Sequence, residues 1–388
     1  MPPALAPEEL AVDRELADIA GRIDLLLDVT PVNATAAWDV SVAARHRAEL
    51  DLRYRPRLTD VDAVLARLDR VPVAEVGNQS LRRLLTDTRD GLALQARLIA
   101  ARGTPAFLDL SHALYGTAEP PLVALAEDLL ARLPPPGADP PGVLVSPEDF
   151  ARRARDEIAR YRVQDPTFQG TVTVRGDVPS LMVVQRELLV GSDSVVPAHR
   201  QEALVHHEVG THLLTAVAGG RQPLRLLEQG LAGFEQTQEA LGVLSEHLVG
   251  GLDADRLRTV AARAVAARRL SDGARFPDLF AELHGTHGFG ERAAWTLAMR
   301  IVRGGGFTKD VIYLRGLVEV VEHLGHGGAL EPLLVGKLDL RHLAAVEALL
   351  GEGTLVPAPV RPHWLDGDAP ARRLAALRAG TAPIATWL

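Results

Sequence analysis

The residues that most strongly indicate chemistry lie near the middle of the chain, where three of the thirteen histidines fall within seven residues. These are His206, His207 and His212, and Glu208 directly follows the second of them. Two imidazoles beside a carboxylate are typical of a catalytic zinc site, in which the histidines bind the metal and the glutamate acts as a base on bound water. The H-E-x-x-x-H pattern from His207 to His212 therefore predicts a zinc-binding motif with Glu208 as the base. His206 is the alternative to His207 as a ligand, but His207 directly precedes Glu208 and so would place this carboxylate close to the metal.

The spacing of the two histidines sets a condition on their helix. Residues five apart in a regular α-helix point about 140° away from each other, so His207 and His212 cannot meet one metal there. A π-type turn widens the helix and brings such residues together. Gly210 stands between β-branched residues and disfavours a regular helix. We therefore expect a π-type turn within 205–214, or a helix end near Gly210, and we expect His206 to pack or hydrogen-bond beside the site.

A catalytic zinc site needs a third protein ligand, and the next predicted helix offers three glutamates. Glu235, Glu239 and Glu246 lie at positions i, i+4 and i+11, on one side of that helix. Much of the helix is apolar, and a buried carboxylate needs a cation nearby. Spacing alone leaves Glu235 and Glu239 equally suited as the ligand. Glu246 is placed to accept a hydrogen bond from a ligating histidine.

A later segment begins with three glycines and supplies candidate substrate-binding groups. Its sequence predicts a loop that enters a helix with Thr308 as the N-cap. Lys309 and Tyr313 share a helix face, where an ammonium and a phenol suit a substrate carboxylate or a tetrahedral oxyanion. Only two of the 42 basic residues are lysines, and Lys309 is one of them. The alternative carboxylate-binding residues, just before the glycines, are Arg300 and Arg303.

Two further histidine pairs have i, i+3 spacing, and they are His284 with His287 and His323 with His326. A dimetal site on facing helices would repeat the pattern Glu-x-x-His, which neither pair shows. We therefore do not expect these pairs to bind metal. The phosphate-binding, nucleophile-elbow and dinucleotide-binding glycine motifs are also absent from the sequence.

The elements that must position these residues are mostly helical. Apolar residues recur at helical spacing across five early segments, which are 8–27, 59–71, 79–102, 121–133 and 147–162. Short strands with a following turn at 191–194 are predicted at 171–174, 181–184 and 187–190. The pattern is helical again from about 197 to 350, and a short helix is expected near 370–379. The predicted fold class is α+β, mostly α with a small β-sheet.

Composition divides the chain into four predicted regions. Five prolines and two glycines within residues 133–142 interrupt both helix and strand. The regions are a helical N-terminal region at 1–133, a Pro/Gly-rich linker or loop at 134–142, a region at 143–350 that contains the predicted zinc motif and would form the catalytic domain, and a C-terminal tail packed on the core at 351–388.

Overall composition excludes several classes of protein. The 47% hydrophobic and 24% charged residues are ordinary for a globular protein. No apolar run is long enough to span a membrane, and the N-terminus lacks the features of a signal peptide. The absence of cysteine removes disulfides, thiolate metal sites and cysteine nucleophiles. A net charge of −8 disfavours nucleic acid. We expect a cytoplasmic protein without a nucleic-acid or membrane partner.

Two segments together resemble a known family. HHEVGTHLLTAVAGGRQPLRLLEQGLAGFEQTQEALGVLSEHLVGGL and, further on, RGGGFTKDVIYLRGL resemble the bacterial flavohaemoglobin expression-modulating QEGLA motif proteins. That family is similar to the microtubule-associated tyrosine carboxypeptidases, zinc peptidases with the same HExxxH pattern. The resemblance covers about residues 165–350, with weaker traces at Thr30–Asn33 and Tyr54–Pro56.

The resemblance implies a site and a gluzincin-like metallopeptidase core. One zinc ion per chain would be held by His207, His212 and Glu239, with Glu208 as the catalytic base. The namesake motif departs here, because QEGLA becomes QEALG over Gln238–Gly242 and its glycine and alanine exchange places. Since Glu239 is retained, the departure concerns the shape of the pocket more than metal binding.

The resemblance also implies a zinc-dependent carboxypeptidase that removes C-terminal residues from a peptide or protein, with a preference for tyrosine. The strongly acidic tails of tubulin do not suit an acidic chain. The alternative is a non-enzymatic zinc-binding regulatory protein that modulates expression, as the family name suggests. Glu208 favours the enzyme, because a purely structural zinc site needs no general base.

Overall fold

The helices of the first third follow the apolar pattern of the sequence. The structure is a computed structural model that describes residues 5–135, 142–178 and 180–387. The early helices are α1 (Pro7–Ala20), α2 (Leu25–Asp28), α3 (Ala34–Ala43), α4 (Val61–Leu68), α5 (Gln79–Ala100), α6 (Ala106–Tyr115) and α7 (Pro120–Arg132). The single helix predicted over 8–27 is wrong, because the chain turns after Ala20 at Gly21, a residue with low helix propensity.

Two small sheets lie between the early helices and the histidine motif. The strands are β1 (Leu144–Val145), β2 (Thr171–Arg175), β3 (Leu181–Val184), β4 (Glu187–Gly191) and β5 (Val196–Pro197). β4 is the centre of a three-stranded sheet, parallel to β2 and antiparallel to β3. β1 pairs antiparallel with β5. The sequence did not predict this second pair, because two residues are too few to show a period.

The rest of the chain is again helical, as the sequence predicts. Its helices are α8 (Pro147–Gln164), α9 (Gln201–His207), α10 (Leu214–Gly219), α11 (Leu226–Gln229), α12 (Phe234–Leu248), α13 (Ala254–Ser271), α14 (Phe276–Ala281), α15 (Glu291–Val302), α16 (Ile312–Gly325), α17 (Leu343–Gly351) and α18 (Asp368–Arg378). Mostly helical structure with small sheets agrees with the predicted α+β class. Across the described ranges, no helix combines the length and apolar composition needed to cross a bilayer.

Helix packing brings the motif helix to its partners. α12 packs against α9 and α16, and α13 packs against α15 and α16. The early helices share the same continuous hydrophobic core, since α1 contacts α11 and α7 contacts α13. The domain boundaries at 133 and 143 stay predictions. Most of the predicted loop at 134–142 lies outside the described residues.

Candidate metal centre

The helix that carries the histidines widens where their spacing requires it. α9 ends at His207, and Glu208–Leu213 form a π-helix that leads into α10. The amide of Leu214 reaches back five residues to the carbonyl of Val209. The predicted π-type turn is therefore confirmed. The rings of His207 and His212 lie with their centroids 4.9 Å apart and their planes at 77°.

Side-chain donors bond to the carbonyl groups of this widened turn. The Thr211 hydroxyl donates to the carbonyl of His206 at 3.1 Å, and the Thr215 hydroxyl donates to that of Thr211 at 2.8 Å. The indole N–H of Trp364 donates to the carbonyl of Gly210 at 2.9 Å. Because buried carbonyl groups need hydrogen-bond partners, these donors stabilise an irregular stretch of helix.

Three potential ligands meet beside the π-helix. The nearest ligand atoms of His207, His212 and Glu239 all lie within 4.8 Å of one another, and the described residues contain no other such group of three. His207 Nε2 is 3.8 Å from Glu239 Oε2. Glu235, which spacing alone left equally suited, instead pairs with the ammonium of Lys309 at 3.0 Å. The structure thus places Glu239, not Glu235, beside the histidines.

Hydrogen bonds fix the orientation of both rings. His207 Nδ1 lies 2.8 Å from Oε1 of the buried Glu246, and His212 Nδ1 lies 3.3 Å from Oε1 of Gln238. Arg200 donates to the other oxygen of Glu246 at 2.6 Å. Both contacts occupy Nδ1 and leave Nε2 available, which is the arrangement found behind metal-binding histidines.

A glycine on α12 gives His207 its space. A Cβ at position 242 would overlap the imidazole of His207, so only Gly242 allows α12 to approach α9 this closely. Ala240, the other exchanged residue of the QEALG sequence, is fully buried in the core. This role of Gly242 was not predicted from the sequence, although the altered position of the motif glycine was a visible signal.

Glu208 faces the same cleft as the three potential ligands, a space of about 600 Å³. Burial raises the pKa of Glu208 to about 7, and the charges of Glu239 and Glu246 act in the same direction, against the lowering effect of His207. A carboxylate that titrates near neutral pH suits a general base. Burial, reinforced by the charge of His207, lowers the pKa of His212 to about 4, so this ring is neutral at pH 7.

Two of the four predicted substrate-binding residues line the cleft, Tyr313 and Arg300. The guanidinium of Arg300 donates two hydrogen bonds to Asp310, at 2.9 and 2.6 Å. The ring of Tyr313 lies under the guanidinium of Arg263, 4.5 Å from its centroid. Arg300 is therefore engaged within the protein, whereas the Tyr313 ring forms part of the cleft wall.

The other two predicted residues are not brought to the cleft. Lys309 is held by Glu235, and Arg303 stacks on Phe307 with its guanidinium 4.8 Å from the ring centroid. Thr308 as an N-cap is wrong, because it lies inside a 3-10 helix (Thr308–Val311) that precedes α16. The segment therefore packs into the core instead of presenting its cations to the ligands.

His206 also faces away from the ligands. Its Nδ1 lies 4.0 Å from Glu157 on α8, and it has no hydrogen-bond partner within the described part of the chain. Because neighbouring residues on a helix point about 100° apart, His206 and His207 cannot serve the same centre. The expectation that His206 supports the ligands is corrected accordingly.

Four cations in the cleft were not predicted from the sequence, and they are Arg200, Arg256, Arg263 and Lys337. Arg256 and Arg263 are seven residues apart on α13, which places them on one side of that helix. α13 is otherwise rich in buried alanine and valine. Arginines that recur on an apolar helix were the available signal, since buried charges require partners.

Residues 42–381 match the family described as microtubule-associated tyrosine carboxypeptidase. The chain belongs to this family. The match includes the histidine motif, α12 and Tyr313. No curated protein matches the chain. Among solved structures, the chain is similar to a lipoprotein of unknown function from Shewanella oneidensis, with a TM-score of 0.41 and 13% identity over 82% of this chain and 76% of that chain.

Proposed function

We propose that the chain is a zinc-dependent carboxypeptidase that removes C-terminal residues from peptides or proteins. The carboxypeptidase family to which it belongs points to peptidase activity. The observation that carries the proposal is the grouping of His207, His212 and Glu239 in one cleft with Glu208. We further propose a gluzincin-like core and a place in the QEGLA-motif branch, since the ligand glutamate follows the histidine motif on a separate helix.

The donor set fits zinc. Two imidazoles and one carboxylate are a ligand set of catalytic zinc sites, which keep one position open for water or substrate. In this chain His207, His212 and Glu239 would hold the ion, with Glu246 and Gln238 orienting the two rings. Zinc bound there would polarise the scissile carbonyl and lower the pKa of water.

The protein's own groups would handle the protons of the reaction. Glu208 accepts a proton from the attacking water while the water oxygen bonds to the scissile carbonyl carbon. The same carboxyl then gives that proton to the leaving amine as the C–N bond breaks. Tyr313, whose ring forms part of the cleft wall, would donate a hydrogen bond to the oxyanion.

The test of this function is the substitution Glu208→Gln. The amide keeps the size of the side chain but does not take up the proton of the attacking water. Peptide hydrolysis should therefore fall by about 10²–10⁴-fold while zinc content is unchanged. The matched control is Glu202→Gln, which removes an exposed carboxylate of α9 that pairs with Arg153. This control should keep full activity.

The proposal is contradicted if the wild type is as inactive towards peptides as the Glu208→Gln variant. If the wild type and Glu208→Gln both bind zinc and neither cleaves any member of a broad peptide library, the chain is not a peptidase. The metal would then serve structure or regulation.

A further inference from the structure

Two buried carboxylates beside the cleft are each approached by two arginines. Glu246 accepts a hydrogen bond from Arg200 at 2.6 Å, while Nε of Arg256 lies 3.5 Å from its other oxygen. That oxygen is already shared with His207. Arg200 is therefore the close partner of Glu246, and Arg256 is held only loosely.

The second carboxylate repeats this arrangement. Asp310 receives both of its close hydrogen bonds from Arg300, and Nε of Arg263 stays 3.8 Å away. A carboxylate that binds one guanidinium through two hydrogen bonds interacts more weakly with a second guanidinium. Arg263 is thus the member of this pair with the longer and weaker contact to Asp310.

Arg256 and Arg263 consequently carry positive charge in excess of the buried carboxylates. Their side chains are only 20% and 14% exposed, and neither Nε has a hydrogen-bond partner within the described ranges of the chain. A divalent metal would offset Glu208 and Glu239, so those two glutamates do not neutralise the arginines in the loaded protein. Each arginine shares its carboxylate with a closer cation, and partly buried positive charge that is only incompletely balanced favours an anion from outside.

The position of the two arginines limits what that anion is. Both lie on one side of α13 and line the cleft that contains the three potential ligands and Glu208. The guanidinium of Arg263 lies over Tyr313, 4.5 Å from the ring centroid, which restricts its position. A planar guanidinium held in place matches the two oxygens of a carboxylate.

We infer that Arg256 and Arg263 bind the free α-carboxylate at the C-terminus of the substrate. This inference rests on the proposed peptidase function, and it replaces Lys309 and Arg303 in that role. A substrate peptide that is amidated at its C-terminus, or that continues past this position, brings no negative charge to the two guanidiniums. The arginines therefore confine binding, and with it cleavage, to the chain terminus.

The experiment compares N-acetylated peptides as free acids with the same peptides as C-terminal amides. Binding is measured on the zinc-loaded Glu208→Gln protein, in which the peptides are cleaved slowly, and hydrolysis is measured on the wild type. Arg256→Met and Arg263→Met are tested in both backgrounds. The matched control is Arg268→Met, which removes a more exposed arginine of α13 that pairs with Asp272.

We expect the free acids to bind more tightly than the amides, and each cleft variant to weaken binding of the acids by about 30-fold or more. Binding of the amides and zinc content should not change, and the control should behave as its parent. Arg263→Lys should recover part of the affinity, because it restores the charge without the planar fork. Arg256→Met could disturb His207, because both residues contact Glu246. Arg263→Met avoids this problem, since Asp310 keeps both hydrogen bonds from Arg300, and this variant therefore decides whether the arginines bind the carboxylate.

Equal binding of acids and amides overturns the inference, whether or not the peptides are cleaved. Behaviour of both variants like the control overturns it as well. If the wild type cleaves nothing, yet acids bind preferentially and the variants lose that preference, the peptidase function fails while the carboxylate site stands. The two failures are thus distinguishable.

Discussion

Two π-helices occur in the part of the chain that the structure describes, and both carry histidines. Glu208–Leu213 continues α9, and Glu282–Thr286 continues α14. Each begins with a glutamate and contains a glycine, so the local sequences are similar in kind. Only the first is surrounded by the side chains of a metal site.

The histidines near the second π-helix contact groups close to them in the sequence. His284 Nδ1 lies 2.8 Å from the carbonyl of Phe289, and His287 Nε2 lies 3.6 Å from Glu282. At the first π-helix, His212 and the preceding His207 instead meet Glu239, which is contributed by α12. A widened turn is therefore necessary for the i+5 pair but does not make a site without a neighbouring helix that supplies a carboxylate.

The largest effect is expected from Gly242→Ala, which alters α12 behind the first π-helix. The added methyl would overlap the ring of His207 and move it away from Glu239. We expect zinc affinity to fall by about 100-fold, the upper end of the effect of losing a group that supports a ligand. The control is Gly351→Ala, where a Cβ meets no atom within 4 Å. Equal zinc binding by the two variants would show that Gly242 does not position His207.

The glutamates that begin the two π-helices, Glu208 and Glu282, should differ in how their substitution changes the free energy of unfolding. The folded-state pKa of Glu208 is raised to about 7 from 4.5. Below pH 4.5 the carboxyl is protonated in both states. As pH rises to 7 the unfolded state ionises first, so the metal-free fold loses stability. Glu208→Gln should therefore stabilise the metal-free protein by as much as about 3 kcal/mol at pH 8, and not at pH 4.

Urea unfolding at the two pH values measures this difference. Glu282→Gln is the comparison, because Glu282 accepts hydrogen bonds from Arg269 at 3.1 and 3.2 Å. Removing that ion pair should give no gain in stability at pH 8. A gain from Glu282→Gln as large as that from Glu208→Gln would remove the contrast between the two carboxylates.

The smallest effect is expected from Trp364→Phe, which removes the indole donor to the Gly210 carbonyl. The π-helix should become less rigid and zinc affinity should fall by about fivefold, in line with one hydrogen bond of about 1 kcal/mol. Trp387→Phe is the matched control, since its indole donates to the carbonyl of Ala382, away from the π-helix. Equal affinities in calorimetric titration would exclude a role for Trp364 in holding the turn.

Local features of the fold were predictable from the sequence. The i+5 spacing of His207 and His212, with Gly210 between them, predicts the π-type turn, because helix geometry relates residues a few positions apart. The strands β2, β3 and β4 follow from their short apolar runs. The end of α1 at Ala20 was not predicted, because apolar residues continue at helical spacing beyond it. Gly21, which has low helix propensity, ends the helix there.

Contacts between distant segments were not predictable in the same way. Trp364 lies 154 positions from the carbonyl that it binds, and Glu246 lies 39 positions from His207. Spacing placed Glu246 on the correct side of its helix, but no periodicity relates Trp364 to Gly210. The excess positive charge of Arg256 and Arg263 likewise arises because Arg200 and Arg300 form the close hydrogen bonds to the buried carboxylates. Which arginine forms these bonds depends on tertiary packing.

The most direct test of the central claim is zinc binding by equilibrium dialysis, with histidine variants of the two π-helices compared. The wild type should bind one zinc ion per chain, His212→Ala should lose that binding, and His287→Ala should retain it. Full zinc occupancy in a His207→Ala/His212→Ala double variant would contradict the account, because the metal would then be held outside the first π-helix.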